Sequence, residues 1–136
     1  MSKTNKGSEK LNLTGKVVEG CGEGRYYISL EGYQSQFIDK LGFKPYAGTL
    51  NVKITDESVK ALDEINVSSY IRINGFDHSG KSFFGAYCVK AEVNGYEGAL
   101  IFPDKSRYGK DIVEVISPKK LRGSINEDDV EIKVKL

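Results

Sequence analysis

The sequence predicts a mainly β fold: a single compact, closed β-barrel that carries two short helices. Short segments rich in β-branched and aromatic residues recur along most of the chain, and turn-forming glycine, asparagine and aspartate separate them. Only two stretches place apolar residues at helical spacing. A length of 136 residues with 39% hydrophobic content is enough for one buried core, and the chain shows no internal repeat.

We divide the chain into a flexible polar tail, residues 1–10, and a barrel domain, residues 11–136. The tail is polar and basic and has no apolar run that would anchor it. The strands are expected where β-forming residues cluster between turns. They are Lys16–Glu19, Arg25–Leu30, Thr49–Ile54, Tyr70–Ile73, Ser82–Val93, Glu97–Phe102, Ile112–Ile116 and Val130–Val134.

Two short amphipathic helices are expected between the strands. In "YQSQFIDKL" the apolar residues recur near helical spacing and predict one buried face, and Gly42 follows in the position of a C-cap. Those residues are Tyr33, Phe37, Ile38 and Leu41. In "TDESVKALDEI" a capping Thr55 precedes two acidic residues, which is typical of a helix start. "NGFDHSGKSFFG" has the composition of a turn.

The charge balance and the apolar pattern exclude several classes of protein. There are 20 Lys and Arg residues against 19 Asp and Glu, a formal net charge of +1, so a general electrostatic affinity for nucleic acid or anionic membrane is not expected. No apolar run is long enough to span a membrane, and the first ten residues lack the apolar segment of a secretory signal. Two distant cysteines match no metal or redox spacing. We therefore expect a cytoplasmic monomer without nucleic-acid or membrane partners.

The stretch "EGCGEGRYYISL" has two possible interpretations. Gly20, Gly22 and Gly24 suit either the tight turn of a hairpin or a loop that holds phosphate. A dinucleotide fingerprint requires a helix after the glycines, and a Walker loop requires Gly-Lys-Ser/Thr; neither is expected here. If the loop holds phosphate, we expect it to use backbone N–H groups and Arg25, without a helix dipole.

Three further groups of residues could carry chemistry. Thr49 and Asn51 lie two apart on a predicted strand, so their neutral oxygens share one face; this is either a solvated edge or a Mg²⁺ site completed by substrate phosphates. The basic loop "SPKKLRGS" is either a solvated surface or a clamp for phosphate or base. His78 lies alone in a polar turn, which does not support a histidine-dependent hydrolase.

Four segments together resemble the archaeal CTP-dependent riboflavin kinases. They are "GCGEGRYYISL", "LGFKPYAGTLNVKI", "FFGAYCVKA" and "DIVEVISPKKLR", and the resemblance runs from about Leu13 to the C-terminus. It implies a compact six-stranded cradle-loop barrel that transfers the γ-phosphoryl group of CTP to the ribityl 5′-hydroxyl of riboflavin. The implied products are FMN and CDP, and the implied cofactor is Mg²⁺.

The resemblance also implies site residues. The nucleotide-binding residues of the family fall on Cys21, Gly22, Glu23, Gly24, Arg25, Tyr26, Lys119, Lys120, Leu121 and Arg122. Its metal ligands fall on Thr49 and Asn51, and its flavin contacts fall on Ser106 and Glu114. Ser106 stands where the family pattern has threonine, so the hydroxyl is kept and a methyl contact is lost. Glu114 would either accept a hydrogen bond from the ribityl chain or act as general base.

Two other functions are compatible with the same pattern. One is a non-catalytic barrel that binds flavin or nucleotide as a sensor or carrier, against which Thr49, Asn51 and Glu114 argue because all three are intact. The other is a DNA-binding relative of the swapped-hairpin barrels, against which the balanced net charge argues. A turnover assay separates the first from a kinase, and a salt-dependent binding titration tests the second.

Overall fold

The computed structural model describes residues 10–20, 24–65, 69–106, 108–125 and 129–136. Within these ranges the chain forms three helices, α1 (Gly24–Ile28), α2 (Glu31–Leu41) and α3 (Asp56–Asp63). The strands are β1 (Lys10–Val18), β2 (Leu50–Ile54), β3 (Ile71–Ile73), β4 (Phe76–His78), β5 (Lys81–Phe83), β6 (Ala86–Val93), β7 (Tyr96–Pro103), β8 (Ile112–Ile116) and β9 (Asp129–Lys135).

Six of these strands close into an antiparallel barrel, as the sequence predicts. The neighbours run β6-β7-β8-β2-β1-β9, and β9 pairs back with β6. β6 is long enough for one of its edges to pair with two strands. Cys88 lies opposite Ile71 of β3, whereas Ala91 lies opposite Val134 of β9. The short strands β4 and β5 form a separate hairpin. Closure leaves the barrel strands without an open edge along most of their length.

The barrel interior is built by the alternation of side chains along each strand. Leu50, Val52 and Ile54 belong to the main buried cluster, so the intervening Asn51 lies on the outer face. α3 packs against the same cluster. Its N-cap is Thr55, whose side chain accepts a hydrogen bond from the Ser58 N–H at 3.2 Å, and this confirms the predicted helix start.

A second apolar cluster lies outside the barrel, where α2 covers the sheet. Phe37 and Leu41 pack in this cluster with residues of β6, β7 and β8 such as Cys88 and Ile116. Gly42 ends α2 in the left-handed conformation with φ 85°, which confirms the predicted C-cap. The prediction that Ile38 lies on the buried face is wrong. Ile38 is 50% exposed, because it lies about 100° around the helix from Phe37.

The predicted strand Arg25–Leu30 is also wrong, because residues 24–28 form helix α1. The β-forming residues of "RYYISL" favour a strand locally, but packing of Ile28 in the outer cluster stabilises the helix instead. The chain therefore has three helices in the described ranges rather than two. β1 is longer than predicted at its start and extends back to Lys10.

The predicted strand Ser82–Val93 is interrupted. Residues 84–85 separate β5 from β6, so the segment forms two strands that belong to different sheets. The stretch predicted as a turn holds the hairpin β4–β5, which reverses at Ser79 and Gly80, both with positive φ. Except for Lys10, the predicted tail lies outside the described residues. In the described part of the chain, no helix is long and apolar enough to cross a membrane.

Candidate active site

Two cavities adjoin on the protein and differ in character. The first, of about 440 Å³, is lined by glycine backbone and by the charged side chains of Arg25, Lys119, Lys120 and Arg122. The second, of about 480 Å³, is lined mainly by aromatic side chains. Among the residues that the structure describes, the following line both cavities: Gly24, Thr49, Tyr108 and Glu114.

The pairing of β2 with β8 brings two predicted site residues together. Asn51 lies directly opposite Glu114, and Glu114 lies opposite Ile101 of β7. All three project from the outer face of the barrel, because their neighbours in the strands belong to the interior cluster. Cβ atoms of directly opposed residues are about 4.5–5.5 Å apart, so the amide and the carboxylate share one small region.

Glu114 is only partly accessible to solvent, and this burial raises the pKa of its carboxyl above the ordinary value of 4.5. The cause is desolvation, which disfavours the charged form. A carboxylate with a raised pKa is a better proton acceptor than an exposed one. Its position at the wall shared by the two cavities allows it to reach a group in either of them.

Asn51 is 4% exposed, and its Oδ1 has no hydrogen-bond partner among the described residues. An unsatisfied buried amide oxygen costs about 1–3 kcal/mol, which suggests that a ligand completes the site. The Thr49 hydroxyl lies on the same face just before β2 begins. Neutral oxygens of this kind are suitable ligands for Mg²⁺, so the two residues fit the ion that the resemblance implies.

Gly20 and Gly24 lie close to these two residues. A Cβ on Gly24 would approach the Thr49 hydroxyl to 2.8 Å, and a Cβ on Gly20 would collide with the Asn51 amide. Gly24 does not have a positive φ, so its role here is close approach and not the geometry of a turn. The hairpin interpretation is wrong, because helix α1 follows the glycines, and the expectation that no helix follows them is wrong for the same reason. Cys21, Gly22 and Glu23 lie outside the described residues.

The basic loop after β8 reaches the first cavity, together with Arg25. Lys119, Lys120, Leu121 and Arg122 all line it. Leu121 is buried in the barrel cluster and anchors the loop, and the Lys119 ammonium lies 5.2 Å from the centroid of the Tyr96 ring. The sequence-predicted basic residues are therefore collected on one cavity wall, where they can interact with an anion.

Aromatic residues from α1, α2 and the β4–β5 hairpin build the second cavity. Tyr26 and Tyr27 of α1 face Phe83 of the β4–β5 hairpin, with ring centroids 6.5 and 6.1 Å away. Tyr33 of α2 holds the hairpin through Phe76, at a centroid distance of 4.6 Å. This packing gives a broad apolar surface that suits a planar ring.

Ser106 lines this second cavity as well, and Glu114 closes it on the barrel side. Tyr26, assigned to the nucleotide loop by the resemblance, lines the second cavity rather than the first.

Sequence reasoning missed several residues of these walls. Phe83 and Phe84 lie in the stretch that was interpreted as a turn and a strand. The resemblance includes them in "FFGAYCVKA" but assigned them no role in the site. Phe84 is 52% exposed, and the Lys105 ammonium lies 4.6 Å from its ring centroid. Tyr46 lies in "LGFKPYAGTLNVKI", in which the resemblance assigned a role only to Thr49 and Asn51, and Tyr108 is an isolated tyrosine in a loop.

A family model named CTP-dep_RFKase, with the description "Domain of unknown function DUF120", matches residues 17–136. The chain belongs to this family of CTP-dependent riboflavin kinase domains. The match covers every described segment that lines the two cavities.

The chain is similar to proteins named "Riboflavin kinase" from three archaea. It is 44% identical to that of Methanococcoides burtonii over 127 residues, which are 93% of this chain and 57% of the relative. It is 43% identical to that of Archaeoglobus fulgidus over 91% of this chain and 54% of the relative. It is 47% identical to that of Picrophilus torridus over 88% of this chain and 53% of the relative. The chain thus spans little more than half the length of these relatives.

Proposed function

We propose that this chain transfers the γ-phosphoryl group of CTP to the ribityl 5′-hydroxyl of riboflavin, giving FMN and CDP. The observation that carries the proposal is the shared wall between a basic cavity and an aromatic cavity. A triphosphate in the first and a flavin ring in the second would bring donor and acceptor together beside Thr49 and Glu114. Family membership and the names of the similar proteins support riboflavin as the acceptor.

The nucleotide is proposed to lie in the first cavity. Arg25 and the loop Lys119–Arg122 would neutralise its phosphates, and the glycine backbone would approach them closely. Cys21, Gly22 and Glu23 are proposed to complete this loop on the basis of the resemblance alone. Phosphoryl transfer depends mainly on positioning and on charge neutralisation, which is what such a wall supplies.

Thr49 and Asn51 are proposed to hold Mg²⁺ through their side-chain oxygens. The buried Oδ1 of Asn51, which has no hydrogen-bond partner among the described residues, supports this assignment. Bound there, the ion would neutralise phosphate charge at the point where the two cavities meet. The protein's contribution is to keep both oxygens on one rigid strand and to leave the remaining coordination positions to substrate and water.

The flavin is proposed to lie in the second cavity, with its ring against the aromatic wall and its ribityl chain towards the barrel. Ser106 and Glu114 would contact the ribityl chain, and Glu114 would accept the proton of the attacking hydroxyl. Tyr26 is proposed to contact the flavin and not the nucleotide, because it lines only the second cavity.

The test is an incubation with riboflavin, Mg²⁺ and each of the four nucleoside triphosphates separately, with FMN measured by chromatography. We expect CTP to be the best donor, because a site that hydrogen-bonds one base edge leaves polar groups unpaired with the wrong base. Equal activity with ATP would contradict the donor assignment, which rests on the family name. Binding of riboflavin and CTP without FMN formation would contradict the kinase and support a non-catalytic carrier.

A further inference from the structure

Tyr108 lies at the wall between the two cavities, in the segment that joins β7 to β8. Its hydroxyl lies next to the amide of Asn51: both Tyr108 Oη and Asn51 Nδ2 are within 2.9 Å of the position that a Cβ on Gly20 would occupy. The absence of a side chain at Gly20 therefore leaves space for the phenol to reach the Asn51 side of the wall.

The backbone of Tyr108 is connected to Ser106. The Tyr108 N–H donates a hydrogen bond to Ser106 Oγ at 3.1 Å, which ties these two residues to each other. Ser106 lines the flavin cavity, whereas Tyr108 reaches both cavities. This hydrogen bond therefore couples the position of Tyr108 to that of Ser106.

Phosphoryl transfer creates a need for a hydrogen-bond donor at this wall. In the transition state, negative charge spreads over the equatorial oxygens of the transferring group, and fixed donors stabilise it. Of the shared lining residues, Gly24 has no side chain, and Glu114 accepts hydrogen bonds when ionised. The Thr49 hydroxyl is assigned to the metal. Tyr108 supplies a neutral O–H donor at the same place.

We propose that the Tyr108 hydroxyl donates a hydrogen bond to a non-bridging oxygen of the γ-phosphoryl group during its transfer. The proposal rests on the proposed kinase function. The bond from phosphorus to the oxygen that bridges the β- and γ-phosphates breaks, and the bond to the ribityl oxygen forms. The ribityl hydroxyl proton passes to Glu114, while Tyr108 keeps its own proton throughout.

The test is Tyr108→Phe, which keeps the ring and removes only the donor. We expect kcat with riboflavin and the preferred triphosphate to fall about 10²-fold, the loss typical of one oxyanion donor. The riboflavin KM, the CDP dissociation constant and the Mg²⁺ concentration at half-maximal rate should stay within about twofold, since these report ground-state binding. Riboflavin binding, followed by flavin fluorescence, verifies that the variant is folded.

Tyr70→Phe is the matched control, because Tyr70 stacks on Phe102 and lines neither cavity. Its kcat should equal that of the unaltered protein. An unchanged kcat in Tyr108→Phe would overturn the inference, and so would a loss that high Mg²⁺ restores, because the effect would then act through Asn51. If the unaltered protein forms no FMN at all, the proposed function itself fails, whatever Tyr108 does.

Discussion

The two cavities of this barrel are built in different ways. Most of the walls of the first come from short segments, residues 19–20, 24–25, 46–51, 117 and 119–122, and they present backbone and cations. The walls of the second come from side chains that are distant in sequence, on α1, α2 and the β4–β5 hairpin, and they present aromatic rings. The first therefore follows local sequence motifs, whereas the second depends on how helices and a hairpin pack against the sheet.

This difference predicts that the two sites respond to different changes. Charge and backbone approach control the first, so variants there should alter the nucleotide or metal dependence. Apolar area controls the second, so variants there should alter flavin affinity. The shared wall alone should affect the chemical step. Three substitutions, taken from the largest expected effect to the smallest, test this separation.

Glu114→Gln tests the shared wall. The variant keeps the shape and an acceptor oxygen but cannot take a proton, so kcat should fall by roughly 10²–10⁴ with little change in riboflavin affinity. Because burial raises the pKa of Glu114, the proposed kinase activity of the unaltered protein should increase with rising pH at values above 4.5, the ordinary glutamate pKa. Steady-state kinetics across pH and a fluorescence titration of riboflavin measure both effects.

Stability provides the check on folding for this variant. The folded protein keeps the Glu114 proton to higher pH than the unfolded chain, so the stability from this group is present below pH 4.5 and is lost as pH rises through the raised pKa. Neutral Gln avoids that loss, so its melting temperature at neutral pH should not be lower. Glu97→Gln, exposed and outside both cavities, is the control. Weaker riboflavin binding with normal saturating turnover would instead assign Glu114 to positioning.

Asn51→Ala tests the metal assignment in the first cavity. The variant loses one of the two protein oxygens proposed to hold Mg²⁺, so activity at ordinary Mg²⁺ concentration should fall by about 10²-fold. Loss of a residue that only supports a metal ligand already costs about 10–100-fold. The barrel should remain folded, because the removed Oδ1 makes no hydrogen bond to the described residues. Lys53→Ala changes an exposed residue on the same face of β2 and should have no effect. Near-normal turnover of a folded Asn51→Ala variant would rule out Asn51 as a ligand.

Phe84→Ala tests flavin binding in the second, aromatic cavity. Loss of an aromatic contact worth about 1.4 kcal/mol would weaken riboflavin binding about tenfold, while nucleotide affinity should not change. Phe84 is 52% exposed, so truncation should cost little stability. Ile38→Ala, at an apolar residue that is 50% exposed and lines neither cavity, is the control. Equal weakening of flavin and nucleotide would show that the two cavities are not separate binding sites.

The sequence alone determined what depends on neighbours along the chain. Alternation predicted the strands and the shared face of Thr49 and Asn51, and capping chemistry predicted Thr55 and Gly42 at helix ends. The resemblance identified the glycine and basic segments that line the first cavity. The strands and helix ends that the structure confirms follow from short-range geometry, with a period of 2 along a strand and 3.6 along a helix. Arg25–Leu30, predicted as a strand, does not follow it, because residues 24–28 form helix α1.

Only the tertiary structure decided which distant residues meet. Strand register places Asn51 opposite Glu114, and no local pattern specifies that pairing. Packing of Ile28 in the outer cluster makes residues 24–28 a helix against their β propensity, and this moves Tyr26 into the aromatic cavity. Tyr108 reaches the wall because Gly20, far away in sequence, leaves space for it. Propensity is local, whereas pairing and packing are not, and the candidate site depends on both.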